Sequence, residues 1–265
     1  MAETDEIPKV VILCGGRGTR LKEETEYRPK PLVEIGGKPI LWHIMKIYAY
    51  YGFKSFILCL GYKGEQIKEY FLNYETMNCD FTIELGSGNV AVHNSHQERG
   101  WSVTLANTGE DAMTGARIKR IEKYTDGDTF MLTYGDGLAR ISIPKLLEFH
   151  KSHGKIGTVT GVRPPSRFGE LIISENKVTE FSEKPQVKEG FINGGFFVFD
   201  KRLFNFLKDD DHCRLEKEPL ENLALGGELM VYRHEGFWQC MDTYRDLLLL
   251  DKLCTNQKPP WKVWK

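Results

Sequence analysis

The feature that most restricts the fold of this chain is a recurrence of short apolar, β-rich runs separated by segments of helical period. Lys9 to Cys14 (KVVILC) reads as a strand buried on both faces, and glycines follow it at once. Phe56 to Leu60, Phe81 to Leu85, Val103 to Leu105 and Thr129 to Tyr134 read as further strands, with a helical pattern over Glu65 to Tyr74 and an amphipathic one over Gly115 to Tyr124. Pro39 to Tyr51 has proline at its start and Gly52 just past its end, the usual asymmetry of a helix. Ser142 to His153 reads as a helix, Thr158 to Val162 as extended chain and Glu170 to Phe181 as a hairpin turning at Glu175-Asn176. Strands over Gly195 to Phe199 and Val231 to His234 precede a helix near Tyr244 to Cys254. Strand and helix in alternation predict an α/β fold, a mostly parallel central sheet flanked by helices. With no internal repeat, low-complexity segment or linker, Met1 to Pro8 is an extension and residues 9–265 form one domain with an irregular C-terminal half.

Charge narrows the function classes. With 36 basic against 37 acidic side chains the chain has no global field to gather nucleic acid, so phosphate affinity has to come from local arrangement. No apolar run approaches the roughly 20 residues that span a bilayer, and the acidic start has no hydrophobic stretch, which predicts a cytoplasmic protein without membrane contact. The six cysteines form no Cys-x-x-Cys pair and sit mostly in apolar stretches, as reduced core thiols do.

The first strand opens into Gly15-Gly16-Arg17-Gly18-Thr19-Arg20-Leu21. Glycines allow close backbone approach, and successive amides make a concavity for anions. The dinucleotide fingerprint fails because position 21 is leucine, and the Walker pattern fails because Gly37-Lys38 runs into Pro39. Pro29 and Pro31 stiffen the chain around Lys30, which suits a lysine aimed at a fixed charge. The competing reading is a tight strand-to-helix turn flanked by solvated charges, with Glu23, Glu24 and Glu26 diluting the positive field.

Two aspartates stand out. Asp136 lies between glycines where a strand exits, and Asp242 follows the apolar run Gly236 to Met241, an awkward place for a lone charge. They could share a magnesium ion, which favours carboxylate oxygens and keeps waters and substrate phosphates as further ligands. Lys184, followed by Pro185, is a second stiffened lysine. Histidines 93 and 96, and 150 and 153, have metal-compatible spacing without a third ligand nearby and read as surface or packing residues. No Gly-x-Ser-x-Gly elbow is present, which disfavours acyl chemistry.

Taken together, GGRGTRL and PKPLVEIGGKPI resemble the nucleotide loop of the sugar-phosphate nucleotidyltransferases. LWHIMKIYAYYG, LGYKGEQIKEYF, MTGARIKR, TYGDG, RFGEL, SEKP, INGGFFVFD and FWQCMDTYRD resemble, in order, the branch that makes CDP-glucose. The resemblance implies a Rossmann-like nucleotidyltransferase fold with an irregular C-terminal sugar-binding part. It implies the substrates CTP and glucose 1-phosphate, magnesium as cofactor, a homo-oligomer, and a product bound for surface polysaccharide. Carried over by position, Leu13, Cys14, Gly15, Gly16, Arg17, Gly18, Thr19 and Arg20 would wrap the nucleotide, joined by Lys30, Met113, Thr114, Gly115, Arg117 and Gly135. Gly169, Glu183, Lys184 and Asn193 would hold the sugar phosphate, Asp136 and Asp242 the metal. Arg20, Lys30, Asp136 and Asp242 would carry catalysis. Cys14 stands where alanine is usual, Ala116 where a second glycine is common and Cys240 where proline is common. Base choice remains open at this level between CTP, UTP and dTTP, as does a non-catalytic nucleotide-binding subunit on the same fold.

Overall fold

A computed structural model describes residues 7–164, 170–174, 177–182, 190–255 and 258–264. Its main sheet holds β1 (Val10–Cys14), β2 (Ser55–Leu60), β3 (Ser102–Asn107), β4 (Thr129–Tyr134), β5 (Gly157–Val162), β6 (Ile192–Asn193), β7 (Phe197–Asp200) and β8 (Leu229–His234). β1 lies between β2 and β4, parallel to both, and β3 extends the parallel part beyond β2. On the other side of β4 the sheet turns antiparallel, since β7 pairs with β4 and β5, while β6 pairs with β5. β8 returns parallel to β5. The sheet is mostly parallel, as expected, with antiparallel pairing confined to the β4–β7, β7–β5 and β5–β6 contacts.

The period of two in β1 sends alternate side chains to two cores. Val10, Ile12 and Cys14 join a cluster with Ile40, Leu41, Ile44 and Ile47 of α1 (Ile40–Tyr50), while Val11 joins Ile57, Ile118, Phe130 and Leu132 on the opposite face. α2 (Gly64–Leu72), α4 (Ile143–His153) and α6 (Tyr244–Thr255) cover the first face; α3 (Thr114–Arg120) and α5 (Glu218–Leu225) cover the second. Among the described residues no helix is long and apolar enough to cross a membrane.

Three local expectations change. The Phe81 to Leu85 strand is only Phe81–Ile83, and it pairs with Val90–Val92 in an exposed hairpin outside the main sheet, because neither strand has a buried face to dock. The strand expected from Gly195 begins at Phe197: Gly195 (φ +74°) and Phe196 (φ +47°) bulge out between β6 and β7, and the buried Phe196 ring stacks on Tyr48 at 5.8 Å. α5 had no matching expectation. The hairpin pairs Glu170–Ser174 with Lys177–Ser182, while its turn lies outside the described residues.

The chain moves from β1 to β2 on one side, and β4 joins on the other. The crevice beyond the carboxyl ends of β1 and β4 is thus a point where strand order reverses, the place at which open α/β sheets bind ligands. The glycine loop leaves β1 there and Asp136 leaves β4 there.

Candidate active site

A cavity of about 340 Å³ opens at this crevice, lined by Leu13, Cys14, Gly15, Gly16, Gly18, Arg20, Lys30, Pro31, Ala112, Met113, Thr114, Arg117, Tyr134, Gly135 and Asp136. Its floor is the loop after β1. The Gly15 carbonyl accepts from the Tyr62 amide (3.1 Å) and from Arg117 Nη2 (3.0 Å), so it is turned into the protein. A Cβ on Gly15 would lie 2.2 Å from the Arg117 guanidinium, which is why this position needs glycine. Gly18 has φ +61°, and a Cβ there would lie 2.7 Å from Thr25 Cγ2, whereas one on Gly16 would meet open space. Among the described residues the N–H groups of Gly16, Arg17 and Gly18 donate to no protein acceptor. Three consecutive amides left in this way form an anion cradle.

Above the loop, Lys30 Nζ donates to Asp136 Oδ2 at 2.6 Å and to Asp242 Oδ1 at 2.9 Å. The acids, far apart in sequence, meet because Gly137–Ala139 pairs antiparallel with Trp238–Cys240, and because the Met241 amide donates to the Asp136 carbonyl at 2.9 Å. Asp246, in the first turn of α6, accepts from the backbone amides of Asp242 (3.1 Å) and Thr243 (2.8 Å) and holds that loop. Arg20 Nη1 reaches Asp242 Oδ2 at 2.8 Å from the solvent side. Burial works against the Lys30 ammonium, yet Asp136 and Asp242 raise its pKa overall, so it stays charged. Burial pushes Cys240 up to about 12, helped by Asp242 and Asp136, and it pushes the Cys14 thiol up as well. Neither is a thiolate nucleophile.

Two carboxylate oxygens on one cation make a donor set of the kind a hard divalent ion takes. Lys30 already places one positive charge between the two carboxylates. Among the described residues there is no group of three His, Cys, Asp or Glu side chains, so further ligands of such an ion would be phosphate oxygens or water. The histidines act as packing or surface groups: His150 Nδ1 and His153 Nε2 both lie within 2.9 Å of Thr158 Oγ1, the exposed His93 meets Thr82, and His96 lies between Glu75 and Glu98.

Comparison with known proteins fits this geometry. A family model described as nucleotidyl transferase matches residues 9–248. A glucose-1-phosphate cytidylyltransferase of Salmonella typhi is 50% identical over 97% of this chain and 100% of its own length. The chain is a nucleotidyltransferase of the glucose-1-phosphate cytidylyltransferase family. More distant is a mannose-1-phosphate guanylyltransferase catalytic subunit beta of Dictyostelium discoideum, 31% identical over 91% of this chain and 62% of its own length. A crystal structure of UDP-glucose pyrophosphorylase complexed with UDP-glucose has the same fold, with a TM-score of 0.68, 15% identity and coverage of 96% and 100% of the two chains.

Against this family background, the residues expected from sequence separate into groups. Leu13, Cys14, Gly15, Gly16, Gly18, Arg20, Lys30, Met113, Thr114, Gly135 and Asp136 face one cavity, and Asp242 joins them through Lys30. Arg17 does not line it: its guanidinium pairs with Glu110 (3.3 Å) and Asp111 (2.9 Å) and sits over the Tyr62 ring. Thr19 is exposed beside the cavity. Gly115 and Ala116 give their amides to the Cys213 carbonyl, so the N-terminus of α3 is occupied by protein. Arg117 lines the cavity with its guanidinium already engaged by five acceptors: the carbonyls of Gly15, Leu60, Gly109 and Glu110, and Thr108 Oγ1. Gly169, Glu183 and Lys184 lie outside the described residues. Asn193 donates to the Tyr134 hydroxyl at 3.0 Å at the edge of the cavity. Sequence reasoning missed Tyr134 and Glu216, which are linked at 2.7 Å. Tyr134 ends β4 one residue before the singled-out glycine, a signal that was available; Glu216 lies in an ordinary charged stretch and had none.

Proposed function

We propose that this enzyme transfers a cytidylyl group from CTP to α-D-glucose 1-phosphate, giving CDP-glucose and pyrophosphate. The observation carrying the site assignment is the meeting of Asp136, Asp242 and Lys30 beside a loop of three unengaged amides. The half-identical Salmonella relative carries the choice of substrates.

In this reading the nucleophile is a phosphate oxygen of the sugar phosphate, ionised at neutral pH, so no general base is needed. It forms a bond to the α-phosphorus of the nucleotide as the bond to the β-phosphate oxygen breaks, and pyrophosphate leaves. The protein's task is to bring two polyanions together in line and to neutralise them. The amides of Gly16 to Gly18 hold phosphate oxygens, with Leu13, Cys14 and Thr19 shaping the loop. Arg20 and Lys30 stabilise the triphosphate and departing pyrophosphate. Met113 and Thr114 face the nucleotide, Gly135 gives it room, and Gly115 and Arg117 keep α3 and the loop in register. Gly169, Glu183, Lys184 and Asn193 receive the sugar phosphate. Asp136 and Asp242 would hold a divalent cation, magnesium in this proposal, which when bound supplies charge neutralisation to the phosphates. Residues 9–265 act as one domain, in a cytoplasmic homo-oligomer whose product feeds surface polysaccharide.

The test is a panel of CTP, UTP, dTTP and GTP against glucose 1-phosphate, with and without magnesium, read as pyrophosphate released. The expected result is magnesium-dependent release with CTP well above the others. Release with UTP or dTTP instead would move the base assignment. Nucleotide binding without turnover under any condition would make the chain a non-catalytic subunit.

A further inference from the structure

The segment 211–217 crosses the start of α3 and is fixed there by main-chain bonds. The Met113 amide donates to the Asp211 carbonyl at 2.8 Å, the Cys213 carbonyl accepts from Gly115 and Ala116, and the Leu215 side chain is fully buried. The next residue, Glu216, is thereby held at the cavity rim, where its carboxylate does two things at once. Oε2 accepts from Thr114 Oγ1 at 2.6 Å and Oε1 accepts from the Tyr134 hydroxyl at 2.7 Å.

Donation runs in one sense along the whole chain of contacts. Gly195 N–H donates to Asn193 Oδ1 (2.9 Å), Asn193 Nδ2 to the Tyr134 oxygen (3.0 Å) and the Tyr134 hydroxyl to Glu216. From the other side, Leu215 N–H donates to Thr114 Oγ1 (2.9 Å), whose proton goes to Glu216. Only an acceptor at both oxygens can terminate the two arms, which a carboxylate is and an amide is not. Burial, reinforced by the Glu216 charge, raises the Tyr134 pKa, so the phenol keeps the proton it donates. A carboxylate at the rim of a site for polyanions opposes their binding electrostatically, so its presence there calls for a compensating task.

We propose that Glu216 is a positioning residue that couples the two substrate sites, by locking Thr114 on the nucleotide side and Tyr134 with Asn193 on the sugar side into one hydrogen-bonded unit. The inference rests on the reading above, in which Thr114 faces the nucleotide and Asn193 the sugar phosphate. Coupling of this kind is a free energy between sites, measured as the factor by which one ligand changes the affinity for the other.

The experiment measures glucose 1-phosphate affinity with and without a saturating non-hydrolysable CTP analogue, in wild type, Glu216→Gln, Tyr134→Phe and the double variant, each first verified as folded by circular dichroism and melting. The expected result is a coupling factor that moves toward 1 by about fivefold or more in Glu216→Gln, with the affinity for each ligand alone changed far less. Tyr134→Phe should do the same, and the double variant should add little to either. An unchanged coupling factor in an active, folded Glu216→Gln protein overturns the proposal and leaves the function standing. So does a variant whose loss falls on one ligand alone, since that describes direct contact. A wild type that binds neither ligand defeats the functional reading and the proposal with it.

Discussion

Two buried cations flank the glycine loop, and they are neutralised in opposite ways. Above it, Lys30, with a side chain 13% exposed, meets the carboxylates of Asp136 and Asp242. Below it, Arg117, 4% exposed, has five uncharged acceptors and, among the described residues, no carboxylate in contact with its guanidinium. The lysine is a point charge on a flexible stem, free to exchange one anion for another. The arginine is a planar fork whose two terminal nitrogens tie the β1 loop to the ends of β2 and β3. One region is built to rearrange around phosphates and the other to hold still while that happens. Both were expected to contact substrate on sequence grounds, and geometry alone separates them.

The largest effect should come from the lower region. Arg117→Ala removes five hydrogen bonds, strands the Gly109 and Glu110 carbonyls, and should cost roughly 3 to 5 kcal/mol of stability, lowering the melting temperature by about 10 °C, as thermal unfolding would reveal. Arg117→Lys should recover little, because one ammonium cannot reach acceptors fanned around a guanidinium. A variant with wild-type melting and impaired nucleotide binding would put Arg117 back among the substrate contacts.

In the upper region the order of effects reverses. Lys30→Ala and Asp136→Ala should each lower turnover by roughly 100-fold or more while far-UV dichroism stays that of the wild type. Unfolding of either variant before any loss of activity per folded molecule would mean that the trio serves structure.

Acid supplies an intermediate test, because the groups it reaches lie away from both cations. Burial lowers His43 to about 4 and His150 to about 4, each below the ordinary imidazole value. The folded state therefore binds fewer protons than the unfolded chain as pH falls. Stability should be full above about pH 6.5 and decline from there through pH 4. His43 ties the C-terminal tail to α1, since it contacts the Ile35 carbonyl through Nε2 and the Trp261 indole through Nδ1. Melting followed from pH 7.5 to 4 should show this decline, with a shallower slope in His150→Asn. A flat profile would place the imidazoles in contact with water.

The smallest effect belongs to Arg17, which belongs to the loop yet turns outward. Its bridges to Glu110 and Asp111 are exposed, so water and salt screen them and they contribute little. Arg17→Ala should change stability little and the KM for nucleotide by less than about threefold. A much larger rise in KM would mean that Arg17 leaves these acids for the ligand.

What the sequence determined by itself is local: most of the strands, the helix end at Gly52, the glycine loop after β1, the lysine stiffened by prolines and the aspartate at the exit of β4. Each of these is set by neighbours within a few residues, through backbone freedom and side-chain period, and such signals are written in order along the chain. Tertiary structure decided which of them meet. Lys30 reaches Asp242 across 212 positions, and Arg117 reaches Gly15 across 102, as Glu216 does Thr114. A continuous apolar run says that a strand has two buried faces but not which strand lies beside it, so the antiparallel entry of β7 next to β4 could not be read from it. Nor could the pairing of Gly137–Ala139 with Trp238–Cys240, which helps bring the second acid to the first. Those contacts come from packing all the faces at once, a property of the folded whole that no short window of residues contains.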